Sequence, residues 1–264
     1  DAAFSERYQL GRVLGSGAFS TVRLAVDRAT GQEWACKIVT EEAERELLLR
    51  EVHILQQLDH PNLLSYREHF NEPDHLYILT ELLSGADLLS AVRERGSYSE
   101  GDARDVMQQL LSALAYLGSK GIAHRDLKLD NIALVNEVDH TKVKIIDFGL
   151  SDQLSETKTE FVEACGTPAL LAPEVASRKP YGHGCDVWAA GVVLFMLLSG
   201  DYPFEGTSVG ELLKVIRQAK PGFSDPVWEI TSTNARDFVK ALLTADPAER
   251  PSPESALSHP WMRD

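Results

Sequence analysis

His124-Arg125-Asp126-Leu127-Lys128-Leu129-Asp130-Asn131, followed sixteen residues after Asn131 by Asp147-Phe148-Gly149, is the stretch on which the reading of this chain turns. It gathers a carboxylate, a lysine and two hard oxygen ligands. A phosphoryl group in transfer spreads charge over several oxygens, so its catalysis needs cations and fixed donors, with a carboxylate beside the incoming hydroxyl. Asp126 suits the carboxylate's part. Asn131 and Asp147 suit oxygen ligation of magnesium, and Lys128 suits neutralisation of the moving phosphate. One such Asp alone is ordinarily a solvated turn or a helix cap; two ordered strings at compatible spacing are not.

Outside that stretch, 264 residues with 44% hydrophobic content suffice for one large domain or two lobes with a sizeable core. The formal net charge of -14, with no run of Lys and Arg, argues against a general nucleic-acid binder or anionic-membrane binder and favours basic partners. Cys36, Cys165 and Cys185 are odd in number and lack metal-ligand spacing, which suits a reducing cytoplasm or nucleus without disulfides. The longest apolar run, Val187 to Leu198, is too short to span a bilayer and reads as a buried helix, so no membrane insertion is expected. A start at Asp1 rather than Met reads as an excised domain.

The first eighty residues read mainly as strands, near Tyr8 to Leu14, Thr21 to Val26, Glu33 to Val39, Leu63 to Phe70 and His75 to Leu82. Arg28 to Gly31 reads as a turn. One helix, from about Glu41 to Leu58, interrupts them with apolar residues at Leu47, Leu48, Val52, Leu55 and Leu58. After Ser84-Gly85 the character turns helical. Ser99 to Ser119 opens with a capping pattern at Ser99 and Asp102 and shows one apolar face through Ala103, Val106, Leu110, Leu114 and Leu117. Further helices fit Val187 to Leu198, Val209 to Gln218, Thr233 to Leu243 and a short piece opened by Ser252-Pro253. The crossover near residues 81 to 86 is short, which predicts lobes facing each other across a hinge.

In the first part, Leu14-Gly15-Ser16-Gly17-Ala18-Phe19-Ser20-Thr21-Val22 offers glycines that let backbone approach phosphate oxygens. Ser20 stands at the third glycine position of the usual Gly-x-Gly-x-x-Gly, and an ordinary hairpin turn would read alike. The following strand, Trp34-Ala35-Cys36-Lys37, supplies a lysine to the same phosphates. Glu51 is its expected anionic partner, on the helix face that carries Leu55 one turn later; Glu44 and Glu46 read as a solvated acidic face.

Together these strings resemble the catalytic domain of eukaryotic protein kinases over essentially the whole chain. Gly166-Thr167-Pro168, Ala172-Pro173-Glu174, Asp186-Val187-Trp188 and Arg250 follow in that family's order. They are similar to its peptide-binding segment, its central buried helix and a bracing ion pair, Glu174–Arg250. The C-terminal pattern Gly222-Phe223, Pro226-Val227-Trp228, Asp246-Pro247, Arg250-Pro251 and His259-Pro260-Trp261 resembles the calcium/calmodulin-dependent group. Lys128 and Thr167 agree with serine/threonine rather than tyrosine specificity.

The resemblance implies an α+β, bilobal fold: a small, mainly antiparallel N-lobe with one major helix over residues 1–83, and a larger, mainly helical C-lobe over residues 84–264. It implies binding of ATP and Mg2+ and transfer of the γ-phosphate to a protein Ser or Thr. Lys37, Asp126, Lys128, Asn131 and Asp147 would act in catalysis, and Asn131 and Asp147 would hold the metal. Leu14 through Val22, Ala35, Lys37, Glu51, Thr80, Glu81, Leu83, Asp87 and Ala133 would line the nucleotide site. Thr80 aligns with the gatekeeper and Ala133 with the floor under adenine; both are small, which predicts a roomy pocket. Asp87 and Asp130 resemble acids that attract an arginine upstream of the phosphoacceptor. A regulatory segment or calmodulin, outside this chain, is an implied partner.

Several positions depart from the family pattern. Leu129 stands where this group usually has Pro, and Leu170 replaces a usual Tyr, so preference after the acceptor is expected to differ. Glu163 matches the usual phosphothreonine position of the activation segment. A carboxylate there pairs with Arg125 permanently, predicting activity without phosphorylation of that segment, while Ser155, Thr157 and Thr159 stay open to modification. Cys165, beside the peptide-binding loop, reads as an inert thiol, with redox sensing the alternative. The rival function is a pseudokinase or scaffold. Intact Lys37, Asp126, Asn131 and Asp147 speak against it, and Ser20 and Ala133 speak for it.

Overall fold

A computed structural model describes residues 3–16, 20–40 and 42–263. The chain forms two compact units, residues 1–84 and 85–264.

In the first unit a short helix α1 (Phe4–Arg7) leads into five strands: β1 (Tyr8–Ser16), β2 (Thr21–Asp27), β3 (Glu33–Val39), β4 (Tyr66–Asn71) and β5 (Leu76–Thr80). They form one antiparallel sheet in the order β1-β2-β3-β5-β4. The turn from β2 to β3 is closed locally: Asp27 Oδ1 accepts from the backbone of Ala29 and Thr30, and Gly31 takes a positive φ of 74°. Strand alternation then sorts the side chains. Cys36 packs with Phe4, Tyr8, Ala25 and Leu79 in a core flanked by Trp34 and Ile38, which sends Ala35 and Lys37 to the opposite face.

The β-rich run from Leu63 predicts a strand starting there, yet pairing begins only at Tyr66. Leu63 is 1% exposed, so its apolar character serves burial rather than the ladder. Helix α2 (Glu42–Leu55) follows β3. Leu48, Val52 and Leu55 are buried on it, but Leu47 is 49% exposed. Adjacent helical residues point about 100° apart, so Leu47 and Leu48 do not share one apolar stripe.

The second unit is mainly helical. It comprises α3 (Leu88–Arg95), α4 (Glu100–Ser119), α5 (Pro173–Ala176), α6 (Gly184–Ser199), α7 (Val209–Ile216), α8 (Val227–Ile230), α9 (Thr233–Leu242) and α10 (Pro253–Ala256). Four short strands interleave with them: β6 (Ile122–Ala123), β7 (Ile132–Leu134), β8 (Val143–Ile145) and β9 (Asp152–Gln153). β6 pairs with β9, and β7 with β8. Ser99 caps α4 by accepting from Asp102 N, and the expected apolar face is buried throughout. Every residue of α6 from Cys185 to Leu198 is buried, so this helix is the centre of the unit's core. Burying a Leu or Phe side chain contributes roughly 1.5–3 kcal/mol, an upper figure because unfolded chains are already partly collapsed.

Helix α3 has a legible signal beyond the expected elements. Asp87 caps it, Leu88, Ala91 and Val92 form its buried stripe, and Gly96 ends it at φ 83°. No helix is long and apolar enough to cross a membrane among the described residues.

Candidate active site

Lys37 sits centrally in the first unit's sheet, opposite Val22 on β2 and Ile78 on β5. Its Nζ lies 2.7 Å from Glu51 Oε2; the lysine side chain is 25% exposed and the glutamate 6%. A carboxylate so buried needs a cationic partner, which this pairing supplies. Glu46 is 83% exposed and faces Arg50 instead, and the side chain of Glu44 lies outside the described residues. Along the glycine-rich stretch, Leu14, Gly15 and Ser16 belong to β1, with Gly15 opposite Val22 and Ser16 opposite Thr21; Ser20 directly precedes β2. Gly17, Ala18 and Phe19 lie outside the described residues. Ala35 is paired across the sheet with Thr80, and beyond β5 the Glu81 carboxylate accepts from Ser65 N at 2.7 Å. Leu83 is half-buried.

In the second unit the chain leaves β6 at His124, which is fully buried. Asp186, on α6 and 3% exposed, accepts from His124 N at 2.7 Å and Arg125 N at 2.9 Å. A buried carboxylate thus grips the backbone immediately before Asp126. His124 Nδ1 takes the Asp126 N–H at 3.3 Å, and Nε2 lies 3.0 Å from the Ile146 carbonyl oxygen; a neutral ring protonated on Nε2 satisfies both. Arg125 and Asp147 both adopt the left-handed region, at φ 66° and 59°. Such backbone costs about 1–3 kcal/mol at a non-glycine residue and persists only where surrounding contacts over-determine it.

Asp126 is surrounded by donors. Lys128 Nζ reaches its Oδ2 at 2.8 Å and Asn131 Nδ2 at 3.1 Å, while Thr167 donates to Oδ1 from its backbone N at 3.0 Å and its hydroxyl at 2.8 Å. Lys128 also donates to Thr167 Oγ1 at 3.1 Å. Asn131 Nδ2 is further fixed on the Asp126 carbonyl at 2.9 Å, which turns its amide oxygen toward other partners. The Asn131 carbonyl accepts from Ile146 N at 2.9 Å, tying the turn that carries Asn131 to the strand end that delivers Asp147. Asp126, Lys128, Asn131 and Asp147 are therefore held on one hydrogen-bonded frame. Ala133, on β7, is 6% exposed and bridges to Asp87. Asp87 spends its carboxylate on capping α3, accepting from Ser90 N and Oγ at 2.8 Å each, and Asp130 is exposed.

The segment after Asp147 returns to this frame through Gly166. It has φ 106°, and a Cβ there would stand 2.6 Å from the Arg125 carbonyl oxygen, so only glycine fits. Glu163 Oε2 comes to 3.8 Å from Arg125, but the glutamate side chain is 75% exposed, where such a pair is worth at most about 1 kcal/mol. The less exposed acid is Asp152, whose Oδ2 lies 3.6 Å from Arg125 and is also bound by Lys158. Burial alone would raise the Asp152 carboxyl, but donors from Lys158 and Gln153 and the nearby Arg125 charge pull it below its ordinary value. Ser151-Asp152-Gln153 carries no motif, so its contact was not legible in the sequence. Cys165 is half-buried, and burial raises its thiol above the ordinary range, as befits an inert thiol. Leu170 is 7% exposed and Leu129 1%.

Farther along, Arg250 forks onto Glu174, with Nη1 to Oε1 at 2.8 Å and Nη2 to Oε2 at 2.9 Å. It also donates to the carbonyls of Gly184 and Thr244 and lies 5.3 Å from the Trp188 ring centroid.

A five-stranded antiparallel N-lobe carrying a Lys–Glu pair, and a helical C-lobe carrying the Asp126 frame, coincide with a sequence match to the protein kinase domain over residues 8–262. The chain belongs to the protein kinase family, on its ATP-dependent serine/threonine side. It is 40% identical to calcium/calmodulin-dependent protein kinase type 1B of Rattus norvegicus, over 98% of this chain and 76% of that protein. Identity is 38% to myosin light chain kinase A of Dictyostelium discoideum, over 97% of this chain and 88% of that protein. It is 37% to serine/threonine-protein kinase 33 of Mus musculus, over 99% of this chain, which spans only 56% of that relative's length.

Proposed function

We propose that this chain transfers the γ-phosphate of ATP to a serine or threonine hydroxyl of a protein substrate bearing basic residues upstream of the acceptor. One observation carries the proposal: the Asp126 carboxylate is fixed by Thr167, Lys128 and Asn131 rather than left to turn in solvent. A base so held accepts or orients the proton of an incoming hydroxyl without reorganising, and pre-organisation of this kind lowers the barrier. Lys128 supplies positive charge beside the attacking oxygen. In this reading Lys37, oriented by Glu51, would hold the nucleotide's phosphates together with the glycine-rich stretch, and Ala35, Thr80, Glu81, Leu83, Asp87 and Ala133 would contact its adenosine end.

Asn131, through its amide oxygen, and Asp147, through its carboxylate, are hard donors of the kind Mg2+ prefers, and they fit as its protein ligands. When bound, the ion supplies charge neutralisation at the phosphates. Upstream selection of basic residues rests on the exposed Asp130, on Asp87 and on the net charge of -14. Regulation by a further segment, or by calmodulin as the names of two relatives suggest for those proteins, belongs to the same proposal, as does residence in the cytoplasm or nucleus.

Incubating the protein with labelled ATP, Mg2+ and an oriented peptide library tests both levels. Transfer to Ser and Thr peptides enriched in upstream Arg, abolished in Asp126→Asn, is expected. No transfer by the natural chain sinks the enzyme and leaves a pseudokinase or scaffold; transfer without basic enrichment removes only the substrate preference.

A further inference from the structure

Arg125 presents an unusual balance of charge. Its side chain is 7% exposed, and its guanidinium donates from Nε to the Leu150 carbonyl at 2.8 Å and from Nη1 to the Tyr181 hydroxyl at 3.3 Å. Neither partner carries a charge. A guanidinium this buried needs a counter-charge. Moreover it shares an aromatic ring with a second cation: Arg125 lies 5.4 Å and Lys158 Nζ 5.5 Å from the Phe161 centroid. Phe161 is fully buried and is fixed by paired backbone hydrogen bonds with Tyr181.

Asp152 stands between the two cations, bound by Lys158 and 3.6 Å from Arg125. Its place is set by the β6–β9 ladder, which puts it opposite Ala123, two residues before Arg125. The ladder therefore fixes where the negative charge falls before any partner or modification is added. Glu163, the other acid at Arg125, is three-quarters exposed and screened.

We propose that Asp152, steadied by Lys158, is a positioning residue that holds Arg125, and through the strained Arg125 backbone holds the catalytic Asp126. Its activity readout rests on the kinase function proposed above. Removing the charge of Asp152 leaves two cations on one ring with no half-buried acid between them. Repulsion then loosens the residues 150–163 and the anchor of Arg125, with Asp126 losing its set geometry while nucleotide contacts are untouched.

The prediction has a charge signature that a simple packing role lacks. In Asp152→Asn, kcat for a Ser peptide is expected to fall about tenfold with KM for ATP changed by no more than about twofold. Asp152→Glu should recover much of the loss. Lys158→Met added to Asp152→Asn should restore part of it, because it removes the repulsion. Glu163→Gln should stay within about twofold of the natural protein. Lys158→Glu, a substitution at a 42% exposed side chain, tests the same point should Asp152→Asn fold poorly, and is expected to lower kcat. Amide hydrogen exchange across residues 150–163 is read in parallel and should speed in Asp152→Asn and slow again in the double variant. An unchanged kcat in Asp152→Asn or in Lys158→Glu, or a double variant no better than Asp152→Asn alone, overturns the assignment. If the natural chain transfers no phosphate at all, the kinase proposal fails by that result, and exchange alone decides the positioning role.

Discussion

Thr167 donates to a single oxygen of Asp126 twice, from its backbone N at 3.0 Å and from its hydroxyl at 2.8 Å. The backbone bond fixes where the carboxylate sits, and the hydroxyl, which also accepts from Lys128, fixes how it is turned. Thr167→Val keeps shape and backbone but removes the hydroxyl. A hydrogen bond to a charged group is worth about 1.5–3 kcal/mol, so kcat is expected to fall about 10- to 100-fold. KM for ATP should hold. Steady-state kinetics beside Thr167→Ser, which should retain activity, checks this; equal loss in both variants contradicts it.

The 2.7 Å pair of Lys37 and Glu51 predicts unequal effects of its two halves. Lys37→Met removes the cation proposed to meet phosphate, and loss of one such electrostatic donor lowers kcat about 10²- to 10³-fold. Glu51→Gln leaves the amine in place but less well directed, so its loss is expected to be smaller. Initial rates over a range of ATP concentrations distinguish them, and a Glu51→Gln variant worse than Lys37→Met would refute the order.

Arg250 and Glu174 form a forked pair in the core, with side chains 0% and 6% exposed. Breaking a buried pair by deleting one partner typically costs about 3–5 kcal/mol, because the other charge is stranded. Arg250→Met should therefore lower the urea midpoint by a large step, with the slope unchanged. A small shift would mean that water enters and solvates Glu174.

Acid stability should depend on Glu100. Burial alone would raise its carboxyl, but donors from Ser232 N, Ser232 Oγ and Trp261 Nε1 together bring it below the ordinary 4.5. A folded-state value below the unfolded one contributes stability that is present above the unfolded value and is lost as pH falls through the folded one. Glu100→Gln should lose stability at neutral pH and show a flatter fall in unfolding free energy below about pH 4.5, so that the gap from the natural protein narrows in acid. Denaturant titrations from pH 7 to pH 3 make the comparison; parallel curves would count against it.

Arg125 meets Asp152 and Glu163 without any added phosphate, so phosphatase-treated protein is expected to remain active. Mass spectrometry confirming unmodified Ser155, Thr157 and Thr159, followed by a peptide assay, settles it. Silence in the dephosphorylated protein ends the expectation.

The sequence by itself determined what local patterns can determine. Period-two alternation placed β3 to the residue, because each side of the strand meets a different environment. Ser99 and the spacing of Ala103 to Leu117 placed α4, because capping and a helical stripe are written within a few residues. Glu51 could be chosen as the partner of Lys37 because it lies on the apolar face of its helix, although the neighbours Leu47 and Leu48 misled, since only Leu48 turns inward. Tertiary structure decided the rest. Nothing near residue 152 announces that β9 pairs with β6 and sets Asp152 beside Arg125, and nothing near residue 186 shows its carboxylate holding the backbone 62 and 61 residues earlier. Glu163, singled out by position, proved exposed, while Asp152, with no motif, proved the better-shielded acid. Side-chain charge is readable from composition, but its strength is set by how much water the fold removes from around it, and only packing fixes that.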